Sequence, residues 1–153
     1  MPPSARPPLA ILFACGLNSL RSPMAASLFG QIFGRAIYAG SAGVRKGELD
    51  PFAVAVMAEI GLDISHHKPI TFEDLDHWEG LNFDLIVTLA PEAHHRALEI
   101  TRTSGADVEY WPTADPSAVE GSREQRLDAY REVRDQLLAR IRARFVNQST
   151  GNE

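Results

Sequence analysis

The chain has 153 residues, a net charge of −5, 44% hydrophobic residues and a single cysteine. This length predicts one domain with a complete hydrophobic core, and no apolar run is long enough to span a membrane. One cysteine excludes an internal disulfide and a cysteine-rich zinc site, and is typical of the reducing cytoplasm. The acidic charge argues against nucleic acid as a partner. We expect a cytoplasmic protein without a membrane or nucleic-acid partner.

The two ends of the chain differ in composition from the rest. Residues 1–8 contain four prolines and predict a disordered lead-in, and residues 147–153 predict a polar tail. We therefore expect the folded domain to span residues 9–146.

Strands and helices alternate along this domain. The apolar run Leu9–Ala14 predicts a buried strand. Ser22 and Pro23 favour a helix start, in which serine or its neighbour caps and proline takes the first position, so we expect a helix over Pro23–Phe33. Ala36–Ala39 is expected to form the second strand.

The second half of the domain continues the alternation. Asp50 and Pro51 favour the start of a helix that stops at Gly61, and Thr71 with Asp74 resembles a capping box. The remaining predictions are a central strand at Phe83–Leu89, a helix from Pro91 to Arg102, a strand at Val108–Trp111 and an amphipathic helix over Arg123–Phe145. Such alternation predicts a parallel sheet covered by helices on both faces.

The loop after the first strand carries the strongest chemical signal. It joins Cys15 to Arg21 between a strand and a helix N-terminus, where unpaired N–H groups bind anions and favour a thiolate. The Arg21 guanidinium can bind two oxygens of the same oxyanion. Two alternatives compete with this interpretation: a buried structural cysteine, and a secretory signal, which the proline-rich and short apolar segment excludes.

A second candidate residue, Asp115, follows the fourth strand in an Asp-Pro pair. The carboxyl ends of parallel strands meet at one edge of the sheet, so Asp115 and Cys15 are expected on the same edge. Asp115 is then a candidate general acid, and Trp111 a nearby apolar wall that favours its protonated form. The alternative is that Asp115 only initiates a turn, as Asp-Pro commonly does.

The chain resembles the low-molecular-weight protein tyrosine phosphatases and their sister group, the thioredoxin-coupled arsenate reductases. The likeness runs from Leu9 to about Phe145. The segments that carry it are Cys15–Pro23, Ser41–Gly43, Gly61–Ser65, Thr71–Leu75, Phe83–Leu89 and Asp115–Pro116.

The resemblance implies a flavodoxin-like sheet with strand order 2-1-3-4 and a phosphocysteine mechanism without cofactor or metal. It makes Cys15 the nucleophile, Arg21 a phosphate ligand and Asp115 the general acid and base. It also assigns a phosphate-binding loop and two supporting residues around it. The loop residues are Gly16, Leu17, Asn18, Ser19, Leu20 and Ser22, and the supporting residues are Ser41 and His67, with His66 nearly as good a match as His67.

Departures from the family bear on the substrate. Leu20 replaces a second loop cysteine and Gly16 carries the glycine usual at Leu17. Ser117 and Ala118 replace the tyrosines that wall a phosphotyrosine slot, and Ala90 stands where a reductase has a resolving cysteine. We expect a phosphatase of the protein tyrosine phosphatase type, acting on a phosphotyrosine protein or a small aryl phosphate. An arsenate reductase using an external thiol is the alternative, and a non-catalytic oxyanion-binding domain is a third.

Overall fold

The computed structural model describes residues 10–147. The predicted lead-in, and all but the first residue of the predicted tail, lie outside this range. The strands and helices are β1 (Ala10–Cys15), α1 (Arg21–Phe33), β2 (Tyr38–Gly43), α2 (Pro51–Ala58), α3 (Phe72–Trp78), β3 (Leu85–Thr88), α4 (Pro91–Ile100), β4 (Asp107–Tyr110) and α5 (Arg123–Ile141). A short 3₁₀ helix, Pro116–Ala118, precedes α5, and a π-helical segment, Arg142–Asn147, follows it.

The four strands form one parallel sheet in the order β2-β1-β3-β4. This arrangement confirms the predicted α/β class and the strand order 2-1-3-4. Among residues 10–147, no helix combines the length and apolar character needed to cross a membrane.

The two faces of β1 separate the core into two parts, because successive strand residues point to opposite sides of the sheet. Ile11 and Phe13 pack with residues of α1, α2 and α5. Leu12 and Ala14 pack with residues of α3 and α4 on the other face. All four side chains are fully buried, so β1 lies at the centre of a three-layer domain. Because β1 is a central strand, its last residue, Cys15, lies at the carboxyl edge of the sheet.

The second strand was predicted several residues too early, because Tyr38–Gly43 consists mostly of glycine, alanine and serine, which have low intrinsic strand preference. Pairing with β1 determines this strand instead, in a register from Ala10 opposite Tyr38 to Cys15 opposite Gly43. A Cβ at Gly40 would lie 3.5 Å from the Phe83 ring, an ordinary van der Waals contact.

Helix starts were predicted more accurately where a side chain caps the helix. Asp50 accepts a hydrogen bond from the Phe52 N–H, and Thr71 and Asp74 form the expected capping box. The start of α1 differs: the helix begins at Arg21, after Leu20, and has no side-chain cap. The Ser22 hydroxyl that was expected to help cap it is engaged with Cys15 and Asn18 instead.

Two other boundaries also differ from the predictions. The last helix changes to the π-helical segment after Ile141, although Phe145 is still buried against Phe29, as the apolar stripe predicted. The third strand is shorter than Phe83–Leu89, but Asp84 and Leu89 still donate backbone hydrogen bonds to β1.

Candidate active site

The carboxyl edge of the sheet holds a cleft of about 570 Å³ next to the Cys15 loop (residues 15–21). Cys15, Arg21 and Asp115 all line this cleft, as their positions after β1 and β4 led us to expect. Cys15 is 2% exposed, so its sulfur is reached only from the cleft. The three residues predicted to carry the chemistry therefore share one site.

The carbonyl groups of the Cys15 loop are held from outside by the segment of residues 44–50, which we call the clamp segment, and by His67. The hydrogen bonds run from Val44 and Arg45 N–H to Gly16 O (2.9 Å each), from Gly47 N–H to Leu17 O (2.9 Å), from His67 Nε2 to Asn18 O (3.0 Å) and from Asp50 N–H to Ser19 O (3.0 Å). With its carbonyls bound on this side, the loop keeps a defined backbone path.

The amide groups of the same loop have no such partners. Within residues 10–147, the N–H groups of residues 16–20 donate to no acceptor. A ring of unpaired N–H groups above a helix N-terminus is a favourable site for an oxyanion. The close approach of the clamp segment requires Gly43, since a Cβ there would lie 2.8 Å from the Asn18 backbone nitrogen.

Asn18 holds the loop from its centre. It is fully buried and has a left-handed backbone with φ of 55°, a conformation that asparagine tolerates better than most residues. Its Oδ1 accepts a 2.9 Å hydrogen bond from the Ile70 N–H, which fixes the orientation of the side-chain amide. Its Nδ2 therefore donates to Ser22 Oγ, at 2.8 Å.

The Ser22 hydroxyl connects Asn18 to the cysteine. Because Ser22 Oγ accepts from Asn18, its own proton is free to donate to Cys15 Sγ, 2.9 Å away. A hydrogen bond of this direction stabilises the thiolate form of a cysteine. Asn18 thus acts on Cys15 through Ser22 and makes no direct hydrogen bond to the sulfur.

The structure brings His67, and not His66, to the loop. His67 Nε2 lies 3.0 Å from both Asn18 O and Asn18 Oδ1, so this nitrogen carries the proton in the neutral ring. Burial lowers the pKa of His67, while its hydrogen bond to the Asn18 backbone opposes the change. His66 is exposed and lies beside Ser65. Ser41 lines a separate hollow next to His67 and does not line the Cys15 cleft.

Arg21 and Asp115 are connected by the loop that follows β4. Arg21 Nη1 donates a 2.8 Å hydrogen bond to the Thr113 carbonyl oxygen. Asp115 Oδ1 accepts from the Ser117 N–H and hydroxyl, at 3.0 and 2.6 Å, so the turn role suggested as an alternative is present. Its Oδ2 has no hydrogen bond among the described residues. Asp115 thus stabilises a turn and still offers one carboxyl oxygen to the cleft that it lines.

The expectation that Trp111 walls Asp115 was wrong. Trp111 points into the core, where it packs against Phe13 and Phe145 and is 6% exposed, because burying a large aromatic ring against other rings is favourable. Tyr130 lines the cleft instead, and its hydroxyl donates to Asp50 Oδ2 at 2.5 Å. Burial and this hydrogen bond raise the pKa of Tyr130, and the nearby charge of Asp115 adds to the effect.

Sequence reasoning missed an ion pair at the cleft. Arg45 and Glu92 form two hydrogen bonds, of 2.8 and 3.2 Å, across the outer side of the loop. A Cβ on Gly16 would lie 2.3 Å from Glu92 Oε1, so a larger residue there would displace the end of the Glu92 side chain. Glu92 lies in the first turn of α4, which follows β3. This position places Glu92 on the same edge of the sheet as Cys15 and could have predicted its proximity to the loop.

The chain is similar to arsenate reductases and to a phosphatase. An arsenate reductase of Shouchella clausii (strain KSM-K16) is 35% identical over 133 residues, which are 86% of this chain and 91% of the relative. A solved structure described as an arsenate reductase in the phosphate binding state superposes with a TM-score of 0.66 and 26% identity, covering 88% of this chain and 94% of its own. The structure of the YwlE arginine phosphatase, a mutant with a phosphorylated active-site serine, superposes with a TM-score of 0.69 and 26% identity. The match covers 87% of this chain and 91% of the phosphatase chain.

The family comparison covers almost the whole chain. Residues 10–149 match the family model described as low molecular weight phosphotyrosine protein phosphatase. The match includes the Cys15 loop, the clamp segment and the loop with Asp115. This cysteine-dependent enzyme therefore belongs to the low-molecular-weight phosphotyrosine protein phosphatase family.

Proposed function

We propose that the protein is a phosphomonoester hydrolase that works through a phosphocysteine on Cys15. The observation that carries this proposal is the Cys15 loop itself: the N–H groups of residues 16–20 donate to no acceptor among residues 10–147, and Ser22 Oγ lies 2.9 Å from Cys15 Sγ. A phosphoryl group has three peripheral oxygens whose charge must be stabilised during transfer, and a ring of N–H donors meets this need.

In the first step, the Cys15 thiolate attacks phosphorus and the bond to the leaving oxygen breaks. The loop N–H groups and the Arg21 guanidinium bind the three peripheral oxygens. Asp115 gives its proton to the leaving oxygen, so that an alcohol or phenol departs.

In the second step, water attacks the phosphocysteine and the S–P bond breaks. Asp115, now ionised, accepts the proton of the water, and inorganic phosphate and the Cys15 thiolate are released. The Ser22 hydroxyl stabilises the departing thiolate in this step. Each cycle consumes one ester and one water, and returns every residue to its starting state.

The direct test is hydrolysis of p-nitrophenyl phosphate by the purified protein. Cys15→Ser and Arg21→Ala are expected to abolish turnover, and Arg21→Lys to lose most of it, because lysine lacks the planar pair of donors. Arg102→Ala, an exposed arginine beyond α4 at the opposite end of the sheet, is the matched control and should keep full activity. Mass spectrometry of the quenched enzyme should detect phosphate on Cys15. Appreciable hydrolysis by Cys15→Ser would refute the proposal.

A second candidate function is reduction of arsenate with an external thiol, and the curated relatives named arsenate reductase favour it. Reduction of arsenate to arsenite takes up two electrons, which Cys15 and a second thiol supply as they become a disulfide, and a further thiol must then reduce that disulfide. Cys15 is the only cysteine of the chain, and Ala90 occupies the position matched to a resolving cysteine. A small thiol would therefore have to attack the arsenylated Cys15 directly.

Arsenate assays separate the two functions. We expect arsenate to inhibit p-nitrophenyl phosphate hydrolysis competitively and not to be consumed when thioredoxin, thioredoxin reductase and NADPH are the reductants. The same assay with glutathione tests the small-thiol route. Formation of arsenite with glutathione, at a rate exceeding phosphate ester hydrolysis, would favour the reductase function.

A further inference from the structure

One side of the Cys15 cleft carries Arg126, an arginine that forms no ion pair with a carboxylate of residues 10–147. Arg126, in α5, lines the cleft, and Arg123 lies one helical turn before it. Neither forms an ion pair with an acidic side chain of residues 10–147, whereas most of the other arginines of α5 do. Two neighbouring arginines without an acidic partner among residues 10–147, one of them lining the cleft, need a specific explanation.

The ring of Phe52 holds both arginines in place. The Arg126 guanidinium lies 4.6 Å from the ring centroid, and that of Arg123 lies 5.1 Å from it. Positions three apart on a helix share a face, which is why one ring meets both. Phe52 is itself supported by Tyr130, at 5.4 Å between ring centroids.

Stacking on an aromatic ring leaves the N–H donors of a guanidinium available. The ring engages the planar face of the group, while the donors point outward in the plane of its edge. A guanidinium already held in this way loses little further freedom when it binds a carboxylate. The stack therefore makes Arg126 a prepared anion-binding group within the same cleft as Cys15.

Most carboxylates of the cleft are occupied by other partners. Asp50 accepts from Tyr130 and Phe52, and Glu92 pairs with Arg45. Asp115 accepts from Ser117 through Oδ1 only, and it forms no ion pair with Arg126. Glu48 lines the cleft as well but is exposed to solvent, where its charge is screened. The described acidic groups thus do not satisfy Arg126.

We infer that the Arg126–Phe52 stack is a specificity subsite for a second anionic group of the substrate. The substrate class is a phosphomonoester that carries a carboxylate near the ester, with the phosphate bound at the Cys15 loop and the carboxylate at Arg126. This inference rests on the proposed phosphatase function and adds the nature of the leaving group to it. Arg126 positions the substrate and takes no part in bond breaking.

The experiment compares substrates that differ only in that second charge. The first arm uses 3-(4-phosphonooxyphenyl)propionate and its amide. Their phenol leaving groups have nearly the same reactivity, because two methylene groups separate the phenol ring from the carboxylate or amide. The second arm uses phosphotyrosyl peptides with Asp or Asn beside the phosphotyrosine, and distinguishes a polypeptide source of the carboxylate from a small-molecule source.

The wild-type protein is expected to prefer the acidic member of at least one pair by about three- to tenfold in kcat/KM, the range of an accessible charge-assisted contact. The difference should lie mostly in KM and shrink as NaCl is added. Arg126→Gln should remove the preference, Arg126→Lys should keep part of it, and Arg102→Gln should keep all of it. The ratio of kcat/KM for the acidic member to kcat/KM for p-nitrophenyl phosphate should fall in Arg126→Gln and stay unchanged in Arg102→Gln.

Equal kcat/KM for both members of each pair in the wild-type protein would overturn the inference, as would a preference that survives Arg126→Gln. Failure of the proposed function looks different, because p-nitrophenyl phosphate would then not be hydrolysed at all. In that case, titration calorimetry of the same compounds with Cys15→Ser measures the preference without turnover. Thermal unfolding of each variant verifies that it is folded.

Discussion

The Arg21 guanidinium donates a 2.8 Å hydrogen bond to the Thr113 carbonyl oxygen, and so joins the Cys15 loop to the loop that carries Asp115. The two loops follow different strands, and this bond holds them in one arrangement. It lets the arginine that we propose as the phosphoryl ligand also position the candidate acid two residues beyond Thr113. The proposed roles of Arg21 and Asp115 are therefore coupled by structure as well as by chemistry.

The role of Asp115 can be tested with two leaving groups. Asp115→Asn should slow hydrolysis of phenyl phosphate by roughly 10²–10⁴-fold, the usual contribution of a general acid, and that of p-nitrophenyl phosphate much less. Phenol needs a proton to depart, whereas p-nitrophenol leaves almost unaided. The decline in rate of Cys15 phosphorylation at alkaline pH should also disappear in the variant. Steady-state and rapid-quench assays measure both effects.

Asparagine keeps the hydrogen bonds to Ser117, so the turn itself should survive the change. Asp107→Asn, at the opposite end of β4, is the control for removing a charge. Small and equal effects on both esters would assign Asp115 to the turn alone and leave the acid unidentified.

The Ser22 hydroxyl should matter most when the thiolate departs. A hydrogen bond to a charged group contributes about 1.5–3 kcal/mol, so Ser22→Ala should slow breakdown of the phosphocysteine by about 10- to 100-fold. Stopped-flow measurement with p-nitrophenyl phosphate should then show a rapid burst of p-nitrophenol followed by a slow steady state. Ser27→Ala, in the same helix, is the control. A kcat within twofold of the wild-type value would contradict the assigned hydrogen bond.

Two glycine substitutions of identical chemistry should have opposite effects. Gly43→Ala places a methyl group 2.8 Å from backbone atoms of Asn18 and Arg45, which cannot move independently, so it should displace the loop and lower both stability and activity. Gly30→Ala lies inside α1 with open space around it, and should stabilise the protein by about 0.5–1 kcal/mol. Urea unfolding measures both. A Gly43→Ala protein with wild-type stability and activity would show that the clamp segment is not needed.

The burial of His67 predicts a pH dependence of stability. Its pKa is lowered in the folded protein, so below its ordinary value of 6.5 the unfolded chain binds more protons than the folded one. The stability contributed by neutral, buried His67 is therefore fully present above pH 6.5. It is lost as the pH falls from 6.5 toward the lowered pKa of His67 in the folded protein. Thermal unfolding at pH 7.5, 6.5 and 5.5 should therefore show a decline that is smaller in His67→Gln, whose amide can still donate to Asn18.

His66→Gln provides the matched control for that series, because His66 is exposed and does not contact the loop. Its unfolding temperature should change with pH as in the wild-type protein. An identical pH dependence for wild-type and His67→Gln would show that His67 does not titrate with folding.

Much of the fold, and the position of the candidate site, was predictable from local signals. The apolar run before Cys15 indicated the buried strand, Asp50 with Pro51 and Thr71 with Asp74 marked two helix starts, and alternating strands and helices indicated a parallel sheet. Parallel strands place their carboxyl ends on one edge of the sheet, and this rule alone predicts that Cys15 and Asp115 lie close together.

Contacts between distant segments decided what local signals left open. The choice of His67 over His66 depends on which ring reaches Asn18, and the inward turn of Trp111 depends on Phe13 and Phe145. The register of β2 follows from its pairing with β1, because its own residues have little strand preference.

The sequence alone therefore determined the class of fold, the identity of the loop cysteine and arginine, and the edge on which they lie, because these depend on residues close together in the chain. Only the tertiary structure decided the clamp around the loop, the Ser22 hydrogen bond to Cys15 and the stack of Arg126 on Phe52. Each of these is a side-chain or backbone contact set by how the helices and loops pack on the sheet, and no local pattern encodes such packing.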